Sequence, residues 1–139
     1  MPTRSQWTLR LALIYMLGGA TLGAMVLIGK VHPPLGHWMP TLPLHIAWMV
    51  GGGFLQFVMG TAFWILPKFA DRPSFYGNVF FFDAAVVALN AGLLSYSLGQ
   101  AISAFTFLKS GSGLLFAIAM LAWIAHIFPR IKPFQGMDK

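Results

Sequence analysis

Four apolar runs, each close to the length of a bilayer-spanning helix, leave this chain few folds to choose from. A helix needs roughly 20 mostly apolar residues to cross the hydrocarbon core. The runs extend from about Leu9 to Gly29, Leu42 to Leu66, Phe75 to Leu98 and Gly113 to Phe128. Breakers and charges separate them. Pro33, Pro34, Pro40 and Pro43 lie between the first two, and Pro67, Lys68, Asp71, Arg72 and Pro73 between the second and third. Ser110, Gly111 and Ser112 precede the fourth, and Pro129 closes it. The apolar residues do not alternate as the strands of a membrane barrel must. Only 9% of the residues are charged and 58% are hydrophobic, against about 25% charged in a soluble domain, so lipid must be the solvent for much of the surface. The expected fold is all-α: an integral membrane four-helix bundle that uses residues 1–139 as one transmembrane domain.

Arg4 and Arg10 imitate the charged start of a secretory signal. The apolar stretch after them is too long for one, and no small-x-small site closes it before Lys30, so the first helix is expected to be retained. Orientation follows from Lys and Arg in short loops. One side holds seven: Arg4, Arg10, Lys68, Arg72, Arg130, Lys132 and Lys139. The other holds two, Lys30 and Lys109. Both termini are therefore expected in the cytoplasm, and the loop with His32 and His37 outside, in the inner membrane of a prokaryote. Cations at an anionic lipid surface account for the net charge of +6 without nucleic acid as a partner.

The chain has no cysteine. Disulfides, iron–sulfur clusters, thiolate zinc and covalently attached c-type haem are excluded, and any metal chemistry falls to His, Met or carboxylate. The histidines are His32, His37, His45 and His126. His45 falls about one turn inside the second helix, on the outer side, and His126 at the end of the fourth. Those two helices run in the same direction, so His45 and His126 lie at opposite faces and cannot ligate one iron within one subunit.

Spacings of three and four from His45 place Met49, Gly52, Gly53, Gln56 and Gly60 on its face of the helix. A porphyrin needs a helix face of little bulk, and Gly51-Gly52-Gly53 below a histidine offers one, with Trp48 and Met49 at its flank. The plainer reading is that these glycines mark close helix packing. The first helix also carries Gly19-x-x-x-Gly23, overlapped by Ala20-x-x-x-Ala24, a surface suited to the same purpose.

The series Ala12-Leu13-Ile14-Tyr15, Gly18-Gly19, Gly23, His45, Gly51-Gly52-Gly53, Gly60, Trp64-Ile65-Leu66-Pro67-Lys68, Arg72-Pro73 and Leu89-Asn90-Ala91-Gly92-Leu93-Leu94 resembles the first helices of haem-copper oxidase subunit I. It is closer still to the short four-helix membrane proteins related to that subunit. The resemblance covers most of helices one to three and is weak in helix four. It implies haem b as cofactor, with His45 as a ligand to its iron, and it supports no role for His32, His37 or His126. The chain departs from the pattern in having Pro43-Leu44-His45 where many short relatives carry a His-x-His pair. The later helices of the large subunit, with its copper histidines and active-site haem, have no counterpart here, so no oxygen-reducing centre is expected from this chain. One arrangement gives a six-coordinate iron: a homodimer in which each chain donates its His45 to one shared haem, since two-fold dimers are the commonest assembly.

His32 and His37, with His45, could hold copper or zinc, but a Pro- and Gly-rich loop sets no geometry, and solvated loop residues are the plainer reading. His126 is expected as an interfacial residue beside Trp123. In helix three, Asp83, Asn90 and Ser97 form one stripe, and Asp83 is the one acid inside an apolar run. A proton or quinol relay through Asp83 is one reading, with quinone as the partner. Interhelical hydrogen bonding, with Gln56 as the candidate partner, is the plainer one. Three functions follow as expectations. They are a small b-type cytochrome for electron transfer, a haem-free subunit of a larger respiratory or photosynthetic complex, and a gas-binding haem sensor. No hydrolytic constellation shares one face, and no two-half repeat suggests a transporter.

Overall fold

The computed structural model describes residues 1–32, 34, 36, 40–69 and 75–131. The described residues form four long helices and no strand. α1 is Thr3–Val31, α2 is Leu42–Ile65, α3 is Val79–Ala101 and α4 is Thr106–Ile127. All four are long and apolar enough to cross a membrane, counting the short 3₁₀ turns Ser103–Phe105 and Phe128–Arg130 that flank α4. The apolar surface faces outward: Leu17 is 72% exposed, Val87 68% and Leu121 67%. Such a surface is stable only in lipid, where backbone groups must bond within their own helix. This is a multi-pass membrane protein.

Local chemistry sets most helix ends. Pro43 stands in the first turn of α2, where a missing N–H costs nothing. Leu66 turns extended before Pro67 and ends that helix, as the residue before a proline tends to do. The Asn78 side chain accepts from the Phe80 N–H at 3.1 Å and caps α3. The run Ser110-Gly111-Ser112, expected before the fourth helix, lies inside α4 instead. Ser112 returns its hydroxyl to the Lys109 carbonyl at 2.8 Å, and helix is the cheapest state for a backbone without water. α1 also starts about two turns earlier than its apolar run.

α2 is not a uniform α-helix. Trp48–Leu55 is π-helical, between an α-helical turn at Leu42–Ala47 and the α-helical Gln56–Ile65. Such wide turns are rare and commonly lie at functional sites. This one begins three residues after His45 and contains all three glycines of the run.

α1 packs along α2 and α3 along α4, and α2 and α3 join the two pairs. The α1–α2 seam is built by exchange. In one half, glycines of α1 receive side chains of α2: Gly18 takes Trp48, Gly19 takes Met49 and Gly23 takes the His45 ring. In the other half the roles reverse, as Gly52 takes Tyr15, Gly53 takes Met16, and Gly60 takes Thr8 and Leu9. The buried core lies across α2, α3 and α4, with Met59, Phe63, Phe82, Leu89, Leu93 and Trp123 as its large members.

Space separates these glycines from those that merely sit in helices. A methyl group at Gly52 would stand 2.3 Å from the Tyr15 ring. Gly52→Ala is therefore expected to lower stability by about 1–3 kcal/mol. Gly111 is helical with open space around it, so Gly111→Ala should raise stability by about 0.5–1 kcal/mol. Thermal unfolding in one detergent, side by side, checks the opposite signs.

Candidate functional site

The helix directions give the bundle two unlike ends. At one end lie the starts of α1 and α3 and the ends of α2 and α4, with Arg4 bonded to Asp83 and Arg130 bonded to Phe63 and Leu66. At the other end Leu42 at the start of α2 shares a cleft with Val26, Leu27 and Lys30 of the last turns of α1, and Lys109 donates to Gln100 at 2.7 Å. His45 belongs to the second end and His126 to the first, as their helix directions require.

His45 Nδ1 lies 2.6 Å from the Gly19 carbonyl oxygen. A carbonyl only accepts, so Nδ1 carries the proton and donates, and a neutral ring then keeps its lone pair on Nε2. Gly23 makes room for the ring: a Cβ there would stand 2.6 Å from its Cε1. Among the described residues Nε2 has no hydrogen-bond partner. Metal-binding histidines usually have this arrangement, with the second nitrogen tied to a carbonyl that sets tautomer and orientation. Beside the ring is a cleft of about 470 Å³ between α1 and α2, lined by Ala20, Gly23, Lys30, Leu42, His45 and Met49 among others.

The residues expected on the His45 face divide into two groups. His45 and Met49 line this cleft. Gly52 and Gly53 lie under Tyr15 and Met16 in the α1–α2 seam, so their small size serves helix contact. Gln56 is fully buried in that seam. Its Nε2 donates to the Thr8 carbonyl at 3.4 Å, and its Oε1 has no partner among the described residues. Trp48 is pinned through a donor chain, its Nε1 to Ser97 Oγ at 2.9 Å and Ser97 Oγ to the Leu93 carbonyl at 2.7 Å.

Met49 and His45 are one turn apart on one helix, so they lie side by side. They cannot occupy opposite faces of one porphyrin. His32 is exposed beyond α1, and His37 lies outside the described residues. No three His, Asp or Glu converge on a metal position among the described residues.

The stripe Asp83, Asn90 and Ser97 is not connected. Arg4 grips Asp83 through two nitrogens, at 2.8 and 3.1 Å, with both side chains about half exposed. Asn90 donates to the Val86 carbonyl of its own helix at 2.8 Å. Gln56 partners neither.

Arg130 is the residue whose place the sequence did not announce. It is fully buried. Its Nη2 donates to the Phe63 and Leu66 carbonyls at 2.9 Å each and its Nε to Pro67 at 3.3 Å. It therefore caps the end of α2 from the end of α4. Its Nη1 lies 3.2 Å from His126 Nε2, which must accept, so His126 Nδ1 donates to the Asn78 carbonyl at 3.1 Å. His126 is buried beside Trp123, Phe63 and Phe82. It does lie beside Trp123, but in the core and not at the lipid interface, and both its nitrogens are used. The one available signal was the His126–Arg130 spacing of four across the helix end at Pro129.

Comparison of the chain with family models, curated proteins and solved structures finds no match. The likeness to oxidase subunit I thus rests on the residues quoted above.

Removing the buried guanidinium strands three carbonyls. Arg130→Leu should cost about 3 kcal/mol or more, and Arg130→Lys should recover only part, since one ammonium cannot span that set. Asp83→Asn should change stability by no more than about 1 kcal/mol, as a half-exposed pair does. Melting curves of the three variants in detergent decide both points.

Proposed function

We propose that the chain is a small b-type haem protein of the membrane that carries single electrons near the outer face. His45 Nε2 is the iron ligand, and two chains share one haem through their two copies of His45. The observation that carries this reading is the hydrogen bond from His45 Nδ1 to the Gly19 carbonyl, which in the neutral ring puts the lone pair on Nε2. The cleft at its side supplies an apolar wall with one cation, Lys30. Both termini are read as cytoplasmic on the charge count of seven against two, and the membrane as that of a prokaryote.

The haem, when bound, supplies an iron that cycles between two oxidation states. The chain's own groups have simpler tasks. The Gly19 carbonyl holds the imidazole in one tautomer and makes Nε2 a better donor of electrons. Gly23 lets the ring lie close against α1. Ala20, Leu42 and Met49 line the cleft beside the ring. Met49 shares the side of His45 and His126 is bonded at the opposite end, so within one subunit His45 alone would hold the haem. A second copy supplies a histidine by symmetry.

The test is the spectrum of detergent-purified protein made with ample haem. Wild type should give a low-spin bis-histidine spectrum with one haem per two chains by pyridine haemochrome. His45→Ala should abolish it, and Gly23→Val, which fills the imidazole's seat, should lower haem content at least tenfold, on the order of 1.4 kcal/mol of lost binding. A haem-free wild type, or an unchanged spectrum in His45→Ala, would end the reading. A reduced form that takes up carbon monoxide would mean an open sixth position and favour gas binding over electron transfer.

A further inference from the structure

We infer that Lys30 recognises the acid groups of the porphyrin held by His45, one Lys30 from each chain of the pair. The inference rests on the haem reading above and adds what selects the ligand. Lys30 lines the same cleft as His45. It stands seven residues beyond Gly23, where the imidazole sits. That is two turns along the same face of α1, about 10 Å nearer the end of the bundle.

Among the described residues no acid pairs with this cation. Of the three acids, Asp83 is paired with Arg4 at the opposite end, and Asp71 and Asp138 lie outside the described residues. The segment from Val31 to Leu42 contains no acid at all. Lys109, the other cation of this end, is already engaged by Gln100 and lies over the Tyr96 ring. A cation in a helix's last turn gains a little from the helix dipole, which explains tolerance of Lys30 there but not its place along the cleft that His45 lines.

Symmetry makes the match two-sided. Protohaem has two carboxylates side by side on one edge. A two-fold axis along the membrane normal that exchanges the two copies of His45 also exchanges those carboxylates. Each Lys30 would then face one carboxylate. Two cations meet two acids, and neither charge is left unpaired near hydrocarbon.

Titrating haem-depleted protein with protohaem and with its dimethyl ester tests this. The ester removes both negative charges and keeps the iron and the ring. The quantity read is the preference for acid over ester, compared between variants so that the ester's affinity for micelles cancels. From wild type to Lys30→Gln the preference should fall on the order of fivefold to twentyfold, the loss of two part-exposed ion pairs. Lys30→Arg should restore it, and the His45-ligated spectrum should be the same in all three. An equal preference in wild type and Lys30→Gln overturns the inference while leaving the haem reading intact. A wild type that takes up neither compound overturns both.

Discussion

In a lipid solvent two helices gain little by burying leucine against leucine, so what holds α1 to α2 is how closely their backbones approach. Glycine permits that approach, and this seam uses glycine on both sides. α1 is the smooth partner near His45 and α2 is the smooth partner near Gln56. The exchange sets the axial register of the two helices, because a shift by one residue would drive Trp48 or Tyr15 into a helix backbone. That register brings the Gly19 carbonyl to His45, and the site depends on it. The π-helical stretch falls inside this seam and carries the Gly51-Gly52-Gly53 run.

The two ends of the bundle solve different problems. At the end of α2, Pro67 has no N–H to give and the chain turns away, so the carbonyls of Phe63, Leu66 and Pro67 need outside donors. Arg130 supplies them from α4, with His126 as the aromatic and hydrogen-bonding side of its seat. This end is closed: every nitrogen of His126 has a partner. The opposite end is open. Among the described residues His45 has one nitrogen tied and no partner on the other, and no carboxylate pairs with Lys30.

Much of the fold was legible in advance. Twenty apolar residues in a row admit one structure in lipid, and four such runs with short connections admit little besides an up-and-down bundle. The same logic separated His45 from His126. The stripe below His45 was also readable from its spacing, and it does share one face. What that face touches was not readable. Gly52 and Gly53 suit a porphyrin and a neighbouring helix equally well by size, and Tyr15 and Met16 occupy the space. Ser110-Gly111-Ser112 looked like a break, because the local preference of these residues is for turns. In lipid the need to satisfy backbone groups outweighs that preference, and α4 runs straight through.

By itself, then, the sequence determined the solvent, the helix count and the opposite ends at which His45 and His126 stand, because these follow from hydropathy, length and the alternating order of the helices. Only the tertiary structure decided which nitrogen of His45 is tied, that Asp83 belongs to Arg4 and not to Gln56, and that Arg130 is a buried cap and not merely a rim charge. Each of those outcomes depends on a contact between residues more than twenty positions apart. Such contacts are set by helix register and close approach, and no local pattern records them.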